Sequence, residues 1–135
     1  MPPRLVWQAE VIGMETSTGL EIAAQGDVAI ASFKNTCISD VEEIANASTQ
    51  LRQYIEANQP RRMVFDFSGV KFFSSQVLGL LLEARAKLES LQGEVSISSL
   101  SPQLERVFRI TNLDRIFRFY PDADAAISQP AGENN

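Results

Sequence analysis

The stretch Val64-Phe65-Asp66-Phe67-Ser68-Gly69-Val70-Lys71-Phe72-Phe73-Ser74-Ser75-Gln76-Val77-Leu78-Gly79-Leu80-Leu81 changes its hydrophobic period half way along. Its first part, taken from Met63 to Phe67, is a short apolar run bounded by Arg61-Arg62 and by Ser68-Gly69, the pattern of a buried central strand. Its second part opens a segment in which Val77, Leu78, Leu81, Leu82, Leu88 and Leu91 trace one wide apolar face, with Gly93 as a C-terminal stop. A strand, a loop rich in hydroxyls and an amphipathic helix in that order form half of a βαβ unit.

The flanking sequence supplies the rest of such a fold. Upstream, Leu20 to Ala24 and Val28 to Phe33 are short and rich in β-formers, and Gln25-Gly26-Asp27 between them has the chemistry of a hairpin turn. Ser39 or Asp40 can then cap a helix with apolar residues at Val41, Ile44, Ala45, Leu51, Tyr54 and Ile55, which ends near Asn58 because Pro60 follows. Downstream, Val95 to Ser99 alternates as a strand, and Ser101-Pro102 begins a helix carrying Leu104, Val107 and Phe108. Ile116 to Phe119 reads as a last strand and Asp122 to Ile127 as a short closing helix. This order predicts an α/β domain: a mixed, mostly parallel sheet of four to six strands flanked by four helices. Residues 20–127 form that domain. Residues 1–19 read as an N-terminal extension with an edge strand around Val6 to Val11, and residues 128–135 as a polar, disordered tail.

Composition narrows the function. A length of 135 residues suits one compact domain. There is no histidine, which removes the most frequent general base and the commonest nitrogen ligand of metals. One cysteine, Cys37, cannot form an internal disulfide and reads as a small packing residue. A formal net charge of −5 opposes nucleic-acid binding. No apolar run approaches the roughly 20 residues of a membrane-spanning helix, and nothing resembles a signal-peptide core. We therefore expect a cytoplasmic protein, not an enzyme, with no cofactor, no metal, no nucleic-acid partner and no membrane. Nor does any nucleotide-binding glycine spacing occur.

Single residues carry smaller expectations. Arg61-Arg62 reads as a solvated basic flank, Asp66 as a solvated acceptor at a strand end, and one of Phe72 and Phe73 as pointing outward if that segment is extended. Ser74 and Ser75 lie between the central strand and the first turn of the following helix, at the carboxyl-end crevice of an open sheet where ligands and partners bind. A serine there serves as a helix cap or as a modifiable hydroxyl, and both readings fit one residue.

The central stretch resembles the signature of the STAS domain family, of the anti-sigma factor antagonist type. Gly93-Glu94-Val95-Ser96-Ile97 reinforces it, and Val107-Phe108-Arg109-Ile110-Thr111-Asn112-Leu113-Asp114-Arg115-Ile116-Phe117 is similar to the family's helix ending in a Thr-Gly-Leu-Asp turn. The likeness runs from about Leu20 to Ile127. Asn112 stands where the family has glycine, and asparagine tolerates the left-handed backbone such a helix end requires.

What the resemblance implies is partner switching. The unmodified domain binds an anti-sigma factor that is also a serine protein kinase of the GHKL ATPase type, which frees a sigma factor, and phosphorylation breaks that complex. The family's acceptor serine falls on Ser75. Where the family reads Asp-Ser-Ser-Gly this chain reads Ser74-Ser75-Gln76-Val77, so Ser74 is a competing acceptor. The implied partner-binding surface comprises Phe72, Phe73, Ser74, Ser75, Gln76, Val77 and Gly79. A weak homodimer is compatible with it. The alternatives are a scaffold without acceptor chemistry that assembles with other STAS or signalling proteins, and a small-ligand sensor.

Overall fold

A computed structural model describes residues 19–128. The proposed extension, its edge strand around Val6 to Val11 and the tail after Ser128 lie outside the described residues. The hairpin forms from β1 (Leu20–Gln25) and β2 (Val28–Phe33), antiparallel, turning at Gly26 with φ of 62°. Then come β3 (Cys37–Ile38), α1 (Val41–Asn58), β4 (Arg62–Asp66), β5 (Phe72–Phe73) and α2 (Ser75–Ser90). The chain closes with β6 (Glu94–Ser98), α3 (Pro102–Ile110), a 3-10 turn (Leu113–Arg115), β7 (Arg118–Tyr120) and α4 (Ala123–Ser128).

Among the described residues five strands make the main sheet in the order β1-β2-β4-β6-β7, with every pairing after the hairpin parallel. Among the described residues the remaining two, β3 and β5, pair with each other as a two-residue parallel ribbon, Cys37 opposite Phe72 and Ile38 opposite Phe73. The pleat of the sheet explains its two unequal cores. On one face Ala29, Ala31, Met63, Phe65, Val95 and Ile97 meet Ile44, Leu51 and Ile55 of α1, Leu81 and Leu88 of α2, and Leu104 and Phe108 of α3. On the other face Val28 and Val64 meet Ala126 of α4, with Ile30, Tyr120 and Ile127 around them.

Several helix ends have a local physical cause. Asp40 caps α1, its carboxylate accepting from the Glu43 N–H at 3.0 Å, and Ser101 caps α3 by accepting from Leu104 N–H at 3.3 Å. After α2 the left-handed residue is Gln92 (φ 65°), not Gly93. Gly93 is needed for a close approach: a Cβ there would stand 2.9 Å from Leu88 Cδ2, 3.0 Å from Pro60 O and 3.1 Å from Arg61 O. Asn112 does take the left-handed conformation, with φ of 65°.

Several expectations need correcting. Val41 and Ala45 face solvent, and α1 instead buries Ile44, Ala47, Leu51 and Ile55, the i, i+3, i+4 row turned toward the sheet. On α2, Leu82 and Leu91 are exposed while Leu80 is buried, because Leu91 lies past the helix end and Leu82 sits on the outer side. The last strand is displaced toward the C-terminus, leaving Ile116 exposed at the end of the 3-10 turn. Cys37 is exposed, its sulfur 3.6 Å from Ser39 Oγ, rather than packed.

Arg62 is the largest departure: it is buried and not a solvated flank. Its guanidinium donates to Ala126 O at 3.0 Å from both terminal nitrogens and to Ile127 O at 2.7 Å, so it binds the last carbonyls of α4 to the start of β4. Asp66 likewise turns inward, accepting from Ser98 Oγ at 2.8 Å and Ser99 Oγ at 2.6 Å, which ties the ends of β4 and β6 together.

Candidate functional site

The segment between β4 and α2 is held by the ribbon. Lys71 N–H and Phe72 N–H both donate to Thr36 O, at 2.8 and 3.2 Å, and Ser74 N–H donates to Ile38 O at 2.9 Å. These bonds extend the chain, so successive side chains alternate. Phe73 turns into the core, its ring centroid 5.6 Å from Phe67 and 6.0 Å from Phe108, whereas Phe72 keeps 55% of its surface in solvent. One phenylalanine inward and one outward is what an extended segment requires.

At Ser74 the backbone reaches φ −80° and ψ 164° and α2 begins. Ser74 is its N-cap by position, since its carbonyl accepts from Val77 N–H at 3.0 Å, yet its hydroxyl caps nothing. That oxygen is enclosed and has no hydrogen-bond partner among the described residues. Ser75, the first helical residue, is exposed, as are Gln76 and Gly79. Val77 is fully buried.

The seven residues marked by sequence therefore divide. Phe72, Ser75, Gln76 and Gly79 are exposed, Phe73 and Val77 belong to the core, and Ser74 presents no accessible hydroxyl. Leu82 is exposed one turn beyond Gly79 on α2, and Cys37 is exposed at its ladder position opposite Phe72. Val41, 62% exposed at the start of α1, follows the ribbon strand β3 by three residues. Sequence reasoning missed these three because it placed Val41, Leu82 and Cys37 in the core. The signal available for Val41 was its position directly after a capping aspartate, in a first turn that projects past the sheet.

The electrostatics of the two neighbouring helix starts differ. The first turn of α1 carries Glu42 and Glu43 behind Asp40. That of α2 carries no acidic residue, so its unpaired N–H groups and partial positive charge are not offset by a side chain. Among the described residues, no group of three Asp, Glu, Cys or His side chains is placed to hold a metal ion, and no helix is long and apolar enough to cross a membrane.

An α/β domain of this order, with a separate ribbon that delivers an exposed aromatic and a serine to the start of a helix, defines a class of small α/β domains. The chain belongs to the STAS domain family, whose family model matches residues 23–126. Among relatives, a STAS-domain containing protein of Pseudomonas aeruginosa is 29% identical over 59 residues, 44% of this chain and 58% of that protein's length. BtrV of Bordetella bronchiseptica, provisionally named an anti-sigma factor antagonist, is 29% identical over 93 residues, 67% of this chain and 79% of that one. Among solved structures, an anti-sigma factor antagonist from Mycobacterium paratuberculosis superimposes with a TM-score of 0.70 at 25% identity, covering 81% of this chain and 90% of that chain.

Proposed function

We propose that this domain is a cytoplasmic anti-sigma factor antagonist that works by partner switching. In this reading it docks a serine-kinase anti-sigma factor of the GHKL ATPase type through Phe72, Ser75, Gln76 and Gly79 and releases it when Ser75 is phosphorylated. The observation that carries the reading is the contrast between two adjacent hydroxyls: Ser75 is exposed at the first position of α2, and the oxygen of Ser74 is enclosed. In this reading Ser75 is the acceptor and Ser74 is not.

The chemistry asks nothing catalytic of this chain. A phosphate on Ser75 would carry roughly −1.5 to −2 charges beside N–H groups that no acidic side chain offsets, so the domain itself would tolerate it. The partner would not, because closing an interface over that charge requires desolvating it. Phe72 supplies the apolar anchor for the unmodified complex.

The test uses the kinase-type protein that copurifies with the tagged domain from its native cell. Incubation with ATP should add one phosphate, read by intact mass, to wild type and Ser74→Ala but not to Ser75→Ala. Ser75→Asp should abolish the complex, Ser75→Ala should retain it, and Phe72→Ala should weaken it at least tenfold. If both Ser75 variants bind as wild type does, the loop is not the switch. A complex that persists with no phosphate ever incorporated would favour the scaffold reading instead.

A further inference from the structure

The two most exposed large apolar residues of the described domain are Ile110, at 72%, and Val41, at 62%. They stand at opposite poles of the sheet. Val41 starts α1 at the carboxyl end of the parallel strands, whereas α3 leaves that end after β6 and, running back as a crossover helix must, brings Ile110 to the other.

Each residue sits in a charged setting, and the signs are opposite. Around Ile110 and the 39% exposed Ile116 are Arg106, Arg109 and Arg115, all in or beside α3 and the 3-10 turn. Arg109 pairs with Glu105 at 3.2 Å, whereas Arg106 and Arg115 are exposed and have no ion-pair partner among the described residues. Asp114 is the other acidic group of this patch, which therefore keeps a cationic excess. Around Val41 are Asp40, Glu42 and Glu43, with Lys71 on the adjoining ribbon. Helix dipoles account for acids at the start of α1 and for Arg109 at the end of α3. They do not account for bare isoleucine and valine side chains set among those charges.

We propose that these two poles dock onto each other between molecules, the Ile110 and Ile116 patch of one copy seating on the Val41 end of α1 of the next. Because the two surfaces are different, the contact is heterologous and its repetition gives open chains or rings rather than a two-fold dimer. A second copy is the occupant favoured by charge. A chain with a net charge of −5 is repelled as a whole by anionic lipid and by nucleic acid, whereas its own acidic pole complements the basic one. With one or two aliphatic anchors a side, the contact is weak, with a Kd on the order of 0.1–1 mM.

Concentration-dependent amide NMR spectra of the full chain test this without any partner, so failure here leaves the Ser75 reading untouched. On raising the protein from about 20 μM to 1 mM, amides at residues 41–43 and 109–116 should shift together, with one common dissociation constant, which weakens severalfold in 0.5 M salt. Arg106→Glu with Arg115→Glu, and separately Glu42→Arg, should each abolish the shifts. Mixing those two charge-reversed proteins should restore them at the complementary poles alone. No concentration dependence, shifts at one pole only, or no rescue on mixing would overturn the proposal. So would a wild-type response to anionic phosphatidylserine vesicles that displaces self-association.

Discussion

A serine at a helix N-cap usually stabilises: replacing it with alanine costs about 1 kcal/mol, because a backbone N–H of the first turn loses its acceptor. At Ser74 the sign should reverse. Its hydroxyl accepts from no first-turn N–H, and its oxygen is enclosed without a partner among the described residues. Ser74→Ala therefore loses no hydrogen bond and removes a buried polar atom whose desolvation costs about 1–3 kcal/mol when unsatisfied. Allowing for partial compensation, the variant should be between neutral and about 1 kcal/mol more stable, a rise in Tm of up to roughly 3–5 °C for a domain of this size. Urea denaturation followed by far-UV circular dichroism measures it. Asp40→Ala and Ser101→Ala are the controls, since both residues make the capping bond and each should lose about 1 kcal/mol. A loss of 1 kcal/mol or more in Ser74→Ala, matching the controls, would refute the reasoning and return Ser74 to the role of a cap.

Other substitutions probe the frame around the site. Arg62→Met leaves the Ala126 and Ile127 carbonyls without their charged donor and should cost about 2 kcal/mol, with faster hydrogen exchange of the Ala126 amide; an unchanged exchange rate would contradict the tie. Gly93→Ala forces a methyl against Leu88, Pro60 and Arg61 and should cost about 1–3 kcal/mol. Gly79→Ala, with no atom of the described residues within 4 Å of the new carbon, should instead gain about 0.5–1 kcal/mol, and urea midpoints moving the same way in both would count against this geometry. The Glu56 carboxylate is held below the usual glutamate range, first by the hydrogen bond from Lys87 at 2.6 Å and then by that ammonium's charge. With a lowered folded value, this contribution to stability is present above the ordinary glutamate pKa and fades as pH falls through the lowered one. Carboxyl-carbon NMR should show the Glu56 midpoint rising in Lys87→Met, and an unmoved midpoint would dismiss the pair.

The hairpin, the four helices and the parallel order were legible because each rests on local chemistry: Gly26 in its turn, Asp40 and Ser101 at their caps, and a 3.6-residue row through Ile44, Leu51 and Ile55. The positions of Phe72 and Phe73 were legible as a pair, since alternation is a property of the backbone, although which of them turned inward was not. What escaped depended on distant partners. Arg62 looks like any basic flank until α4, more than sixty residues later, offers two carbonyls that need a donor. The ribbon escaped for a similar reason, being two residues of each strand matched across a gap that contains the whole of α1. The enclosure of the Ser74 oxygen follows from that ribbon, because the bond from Ser74 N–H to Ile38 O fixes how the chain enters α2.

The separation of that ribbon from the five-stranded sheet has an evolutionary consequence. Substitutions at Cys37, Phe72 or Gln76 alter side chains that no main-sheet ladder and no core cluster depends on, so they leave the scaffold nearly unperturbed. Descendants of such a gene can drift toward new binding specificities by editing a few solvent-facing letters, one at a time, without passing through an unfolded ancestor.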